Sequence, residues 1–352
     1  MSEKWRENLI KIEPYTAGKQ SDAKDLIKLN ANENPYPPSP KVKKAIQDFD
    51  TDSLRLYPDI SNEPLRSKLA DYYGLRKEEV FVGNGSDDVL AAAFRAFFNS
   101  DKPIVYPDIT YSFYPVWCSL LSVPYKTIAL KDDFTVDVED YAEPNGGVVL
   151  PNPNAPTSLV LGLDKIERLL EINSDAIVLL DETYIDFGGE TALPLLKKYK
   201  NLVITRTFSK SRSLAGMRIG FAMANEELIS CMNAVKDSYN SYPLDRVAMA
   251  AGAASVEDEK YFRETLDRII SEREKFIAFL DGLGFETLES SANFVFTKAP
   301  DNKSVELFDY LEAKNIFIRH FSAERINDYL RITIGTEEEM KKLTDEIRKF
   351  FA

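Results

Sequence analysis

Thr207, Ser209, Lys210 and Arg218 share one stretch, TFSKSRSLAGMRIG (207–220), just after an apolar run ending near Arg206. Two hydroxyls and a guanidinium suit a phosphate, which accepts paired hydrogen bonds. An amine beside them can form an imine with an aldehyde on the same molecule. Gly216 and Gly220 allow close backbone approach around the arginine. An exposed loop with a surface lysine is the plain alternative, and this stretch alone does not choose between them.

Other segments add groups of matching chemistry. In AIVLLDETYIDF (176–187), Asp181 ends an apolar run and Tyr184 follows three residues later. Ligands of open α/β sheets bind beyond the carboxyl ends of strands. A carboxylate there can keep a ring nitrogen protonated, or it can simply cap a turn. In VGNGSDD (82–88), Gly83 and Gly85 precede a helix whose first turn holds Ser86 and Asp87. The free N–H groups of such a helix start can bind phosphate, although an ordinary capped start is the simpler reading. Tyr111 in PDITYSFY (107–114) could stack on a planar ring or fill a core. PNPNAPTS (151–158) makes a rigid turn at a strand end. YLRITI (329–334) alternates, so Leu330, Ile332 and Ile334 face a core while Tyr329, Arg331 and Thr333 face away. IFIRH (316–320) sets Arg319 at the end of a neighbouring strand.

These segments need a frame. Seven apolar runs suit buried strands: VFVG (80–83), PIVYP (103–107), PYKTIAL (124–130), GVVLP (147–151), AIVLLD (176–181), NLVITR (201–206) and RIGFAM (218–223). Helical patterns near 86–98 and 110–122 separate some of them. The expectation is an α/β fold with a mostly parallel sheet covered on both faces. The last third predicts one long helix from about 244 to 282, strands at 293–298, 316–320 and 329–334, and helices near 303–314 and 337–350. That describes a smaller α+β domain joined by the N-terminal residues. The expected division is 40–245 for the large domain, with 1–39 and 246–352 for the small one. NANENPYPPSP (30–40) reads as an ordered, extended connection.

Composition narrows the chemistry. The 352 residues carry a formal net charge of -13, which disfavours nucleic acid as a partner. His320 is the only histidine, so a Ser-His-Asp triad or multi-histidine zinc site lacks material. Proton transfer falls to Lys, Tyr, Asp, Glu or a cofactor. Cys118 and Cys231 form no CxxC pair, and a reducing compartment fits. No signal peptide or membrane span is expected, and the expected location is cytoplasmic.

Taken in order, EPYTAGK (13–19), KLNANENPYPPSP (28–40), LRLYPD (54–59), GNGSDD (83–88), DETYIDF (181–187), TFSKSRSLAGMRIG, SANFVF (291–296) and YLRITIGT (329–336) resemble the histidinol-phosphate aminotransferases. These are fold type I pyridoxal-phosphate enzymes of the aspartate aminotransferase superfamily, with a seven-stranded sheet in the large domain. The resemblance covers essentially the whole chain. It implies that Lys210 holds pyridoxal 5'-phosphate as a Schiff base and moves the proton. Asp181 would pair with the ring nitrogen, Tyr184 would bond the phenolic oxygen, and Tyr111 would stack on the ring. Ser209, Arg218 and the backbone of Gly85, Ser86 and Asp87 would hold the phosphate, with Thr207 assisting. Tyr57 would reach across from a second subunit of a homodimer. Arg331 would bind the substrate anion, with Arg319, Tyr15 and Tyr242 nearby and Asn32 near the amino group.

One departure is visible. The family reads NNPTG where this chain has Ala155 for the second asparagine and Ser158 for the glycine. The expectation is that Asn154 rotates in to contact the phenolic oxygen. The implied reaction converts L-histidinol phosphate and 2-oxoglutarate to imidazole-acetol phosphate and glutamate, a step of histidine biosynthesis. Phosphothreonine decarboxylation and aromatic amino-acid transamination are alternatives on the same scaffold. A binding-only regulatory role is disfavoured by the acid–base groups.

Overall fold

The computed structural model describes residues 4–15 and 25–352. Residues 16–19 of the EPYTAGK segment lie outside the described residues. The seven apolar runs form one sheet of β1 (Val80–Gly83), β2 (Ile104–Pro107), β3 (Tyr125–Ile128), β4 (Val148–Pro151), β5 (Val178–Asp181), β6 (Leu202–Thr207) and β7 (Gly220–Ala224). Their order across the sheet is β1-β7-β6-β5-β4-β2-β3. Only β7 runs antiparallel to its neighbours. Alternate residues feed two cores, with Leu150, Leu180 and Ile204 on one face and Val149, Leu179 and Val203 on the other. Burial on both faces explains the unbroken apolar runs. The exception is β3, a largely exposed edge strand carrying Lys126.

Because β1, β2, β4, β5 and β6 point the same way, their carboxyl ends share one edge. Gly83, Pro107, Pro151, Asp181 and Thr207 are the last residues of these strands. Pro115 near its start confines the helix expected at 110–122 to Tyr114–Leu121, so residues 108–113 form a loop at this edge.

A second, antiparallel sheet contains β8 (Glu286–Thr287), β9 (Phe294–Lys298), β10 (Arg319–His320) and β11 (Tyr329–Thr333), in the order β10-β11-β9-β8. The expected single strand at 316–320 is divided. Ile316–Phe317 pairs in parallel with Ile27–Lys28, while Arg319–His320 turns to pair with β11. The N-terminal segment continues across, and Leu29 O accepts from Thr333 N at 3.0 Å.

The long helix expected over 244–282 is two helices, Arg246–Val256 and Glu259–Asp281. Cations from distant elements take the carbonyls at the break: Arg212 Nη1 donates to Ser255 O and Lys41 Nζ to Glu257 O, both at 2.8 Å. Ala248, Met249, Ala251 and Val256 pack into the large-sheet core. Phe262, Leu266, Ile269, Phe276 and Leu280 pack with the smaller sheet. The helix Arg246–Val256, expected in the small unit, therefore packs with the large sheet. In 30–40 only Pro40 is helical. It opens helix Pro40–Gln47, whose Val42 N–H donates to Ser39 Oγ. Among the described residues, no helix is long and apolar enough to cross a membrane.

Candidate active site

A cleft of about 670 Å³ opens where the shared strand edge meets β10 and β11, with the N-terminal segment on a third side. Lys210, just beyond β6, lies on its wall. Its Nζ donates to Ala31 O at 3.0 Å. Asn34 Nδ2 holds the Lys210 carbonyl at 3.0 Å, and Ser211 Oγ donates to Asp186 at 2.6 Å, so the segment is pinned on both sides. Burial lowers the Lys210 ammonium from 10.5 to about 8, and the charges of Arg331 and Arg218 push the same way.

Asp181 ends β5 and is 4% exposed. Thr183 donates to Oδ1 through its hydroxyl (2.6 Å) and its N–H (3.1 Å), and Tyr114 OH donates to Oδ2 at 3.2 Å. Burial raises this carboxyl above the aspartate range, and those donors oppose the rise. No Lys or Arg pairs with it among the described residues. A buried carboxylate in that position is a ready partner for a protonated ring nitrogen.

The helix Gly85–Phe97 begins directly after β1 with no side chain capping its start. The buried Ser86 Oγ has no hydrogen-bond partner among the described residues. Gly220 on β7 lies so close that a Cβ there would meet the Gly85 carbonyl carbon at 2.5 Å and Ser86 N at 2.8 Å. Gly85, at φ +83, faces Arg218, whose Nη2 would lie 2.5 Å from an added Cβ. Arg218 Nη2 donates to Asp87 Oδ2 at 3.2 Å, and Thr207 Oγ1 donates to Ser209 Oγ at 3.0 Å. Free helix N–H groups, hydroxyls and a guanidinium thus meet at one end of the cleft, a geometry suited to phosphate.

Tyr111 lines the cleft, with its hydroxyl 3.3 Å from Asp87 Oδ1. Tyr15 lies beside it, 6.3 Å between centroids, and packs on Phe113 at 5.0 Å. Tyr184 is buried edge-on to Phe294 at 5.1 Å, and its hydroxyl accepts from Asn32 Nδ2 at 2.9 Å.

At the far wall, Arg319 of β10 and Arg331 of β11 are direct register partners. Like charges opposite one another are unfavourable in a sheet. Arg331 Nη2 donates to Asn30 O at 2.9 Å, and its buried Nε has no hydrogen-bond partner among the described residues. Burial, with Arg319 adding, lowers the Arg331 guanidinium below its ordinary value. Neither arginine forms a salt bridge with a carboxylate among the described residues. Two guanidiniums so placed have the chemistry to receive an anion.

Two expectations need correction. Asn154 does not turn into the cleft. Its Nδ2 donates to Ile109 O at 2.9 Å and Thr157 Oγ1 at 3.0 Å, and its Oδ1 accepts from Thr110 at 3.1 Å. Both amide N–H groups are thus taken up in bracing the loop, and Ala155 lines the cleft instead. Tyr242 is not beside Arg331. It stacks on Tyr57 at 4.8 Å, and neither ring is among the residues lining this chain's cleft. Tyr57 itself is 77% exposed, and its backbone is held by Arg246. Ser158 keeps a glycine-like φ of 64 and ties its loop to the segment between β8 and β9 through Glu289 O. Sequence reasoning passed over Thr183, Tyr114 and Asn34. Their signal lay within segments already singled out, as short polar neighbours of Asp181, Tyr111 and Asn32.

The family model for aminotransferase class I and II matches residues 24–347. The histidinol-phosphate aminotransferase of Lactococcus lactis subsp. lactis (strain IL1403) is 51% identical over 346 residues, 98% of this chain and 96% of that protein. Histidinol-phosphate aminotransferase 2 of Dechloromonas aromatica (strain RCB) is 50% identical over 99% of both chains. The crystal structure of histidinol-phosphate aminotransferase from Sinorhizobium meliloti, in complex with pyridoxal-5'-phosphate, superposes with a TM-score of 0.83 at 25% identity, covering 92% of this chain and 91% of that one. The cleft and these likenesses agree: the chain belongs to the class I and II aminotransferases, within the histidinol-phosphate aminotransferase group.

Proposed function

We propose that this enzyme transfers the amino group of L-histidinol phosphate to 2-oxoglutarate on pyridoxal phosphate, giving imidazole-acetol phosphate and glutamate. The observation that carries the reading is one cleft shared by a softened lysine, a buried carboxyl without a cation, and two opposed arginines. The residues fit the cofactor: the unpartnered Ser86 hydroxyl and uncapped helix start suit its phosphate, and Asp181 suits its ring nitrogen.

When bound, pyridoxal phosphate supplies an electron sink that makes the substrate's α-hydrogen acidic. In this reading Lys210 Nζ would hold the cofactor and, when free, would carry a proton. Asp181 would keep a proton on the ring nitrogen. Tyr184 would donate to the phenolic oxygen, and Tyr111 would border the ring. Gly85, Ser86, Asp87, Ser209 and Arg218 grip the phosphate, with Thr207 orienting Ser209. Arg331 and Arg319 hold the substrate's phosphate in one half-reaction and the carboxylate of 2-oxoglutarate in the other. Tyr15 and Asn32 border the amino donor.

A second copy of the chain belongs to this reading. Leu54, Leu56, Tyr57 and Tyr242 are exposed together with the Tyr57–Tyr242 stack, a face suited to a homodimer in which Tyr57 serves the partner's cleft. Unpaired Cys118 and Cys231 suit a reducing compartment, and we assign the enzyme to the cytoplasm.

The test is a half-reaction. Holoenzyme mixed with histidinol phosphate should lose its visible cofactor absorbance, and 2-oxoglutarate should restore it. Carbon dioxide release from phosphothreonine without a keto acid, or a faster response to phenylalanine, would replace this substrate assignment. Lys210→Ala should lower turnover by about 10³-fold or more, the scale of a lost proton carrier. Activity near wild type in that variant would reject the mechanism.

A further inference from the structure

Asn32 is the one side chain hydrogen-bonded to the Tyr184 hydroxyl among the described residues. Its neighbours fix the direction of that bond. The Asn32 backbone N–H donates to Thr333 Oγ1 at 3.0 Å, which leaves the Thr333 proton for another acceptor. That acceptor is Asn32 Oδ1, also at 3.0 Å. With the amide oxygen committed to Thr333, the amide nitrogen faces Tyr184, and an amide nitrogen only donates. The Tyr184 oxygen therefore accepts, and its own proton is left for an acceptor in the cleft.

Asn32 is held firmly in this pose. Asn293 Nδ2 donates to its backbone carbonyl at 3.0 Å. Its φ of 54 lies in the left-handed region, where asparagine is among the few tolerated non-glycine residues. Asn154 is committed to Ile109 and Thr157, Ala155 offers the cleft only a methyl, and the charged groups facing Tyr184 are Arg331 and Asp181. The unit joins three parts of the chain: the N-terminal segment, β11 and the residues after β5.

We propose that Asn32 is a positioning residue, turning the Tyr184 hydroxyl proton toward the phenolic oxygen of the bound cofactor, with Thr333 locking the amide. This rests on the cofactor reading above and not on the identity of the amino donor. A donor at that oxygen favours its anionic form and lowers the pH at which the bound cofactor changes colour.

The test is a pH titration of the visible absorbance of substrate-free holoenzyme. Tyr184→Phe should raise the midpoint by about one pH unit and Asn32→Ala by about half a unit, the scale of one aimed hydrogen bond. In the Tyr184→Phe background, Asn32→Ala should add nothing, because its effect passes through that hydroxyl. Asn32→Asp accepts where asparagine donates, so it should raise the midpoint at least as far as Tyr184→Phe. An unchanged midpoint in fully loaded, normally melting Asn32→Ala overturns the proposal, as does a shift undiminished in the Tyr184→Phe background. If Asn32→Ala fails to fold, Thr333→Val frees the amide to turn over. It should give a smaller upward shift, and no shift there is equally fatal. Failure of histidinol phosphate to react leaves this titration unaffected, so the two readings fail separately.

Discussion

A lysine that loses its proton near 8 keeps a sizeable neutral fraction where an ordinary lysine keeps almost none. Cofactor-free protein should therefore combine with pyridoxal phosphate at a rate that rises with pH and levels off above about 8, not near 10.5. Burial is the main cause and Arg331 the next, so Arg331→Gln should move that midpoint upward. Stopped-flow absorbance across pH measures both. Asp181→Asn should retain the cofactor yet slow turnover on the order of 10³-fold, since a neutral amide cannot sustain a cationic ring nitrogen. Lys210 and Asp181 were legible in the sequence because each follows an apolar run that had to be a buried strand. The direction Asn154 faces was not. It is decided by Ile109 and Thr110, which are remote in sequence and become neighbours only once β2 and β4 pair.

At the level of elements, the cofactor end of the cleft depends on how closely β7 approaches the start of helix Gly85–Phe97. Gly220→Ala places a methyl against the backbone of Gly85 and Ser86, which cannot move aside as a side chain would. The expected cost is about 1–3 kcal/mol of stability, together with faster cofactor loss, read by urea unfolding and by capture of the released cofactor with hydroxylamine. Period-two and apolar-run patterns revealed the seven strands and the alternation that points Arg331 away from the core. They could not reveal the break between Val256 and Glu259, because helical periodicity continues through it. The break is made by Arg212 and Lys41 reaching over from elsewhere in the chain. The split of 316–320 escaped for the same reason: one apolar run serves two different neighbours.

For the whole molecule, the question is whose cleft Tyr57 serves. A Lys210→Ala chain and a Tyr57→Ala chain should each be impaired alone. If Tyr57 acts in the partner, mixing after mild dissociation restores one sound site per hybrid dimer, about a quarter of wild-type activity at random assortment. No recovery would assign Tyr57 to its own chain. The opposed guanidiniums of β10 and β11 carry a consequence for the folded state as a whole. They store mutual repulsion that any visiting dianion relieves. Inorganic phosphate at a hundred times its dissociation constant should thus stabilise the loaded enzyme by about 2.7 kcal/mol, visible as a rise in melting temperature that Arg319→Gln blunts. Heat tolerance in this protein would then track metabolite supply: a starved enzyme is the first to unfold, and a saturated one the last.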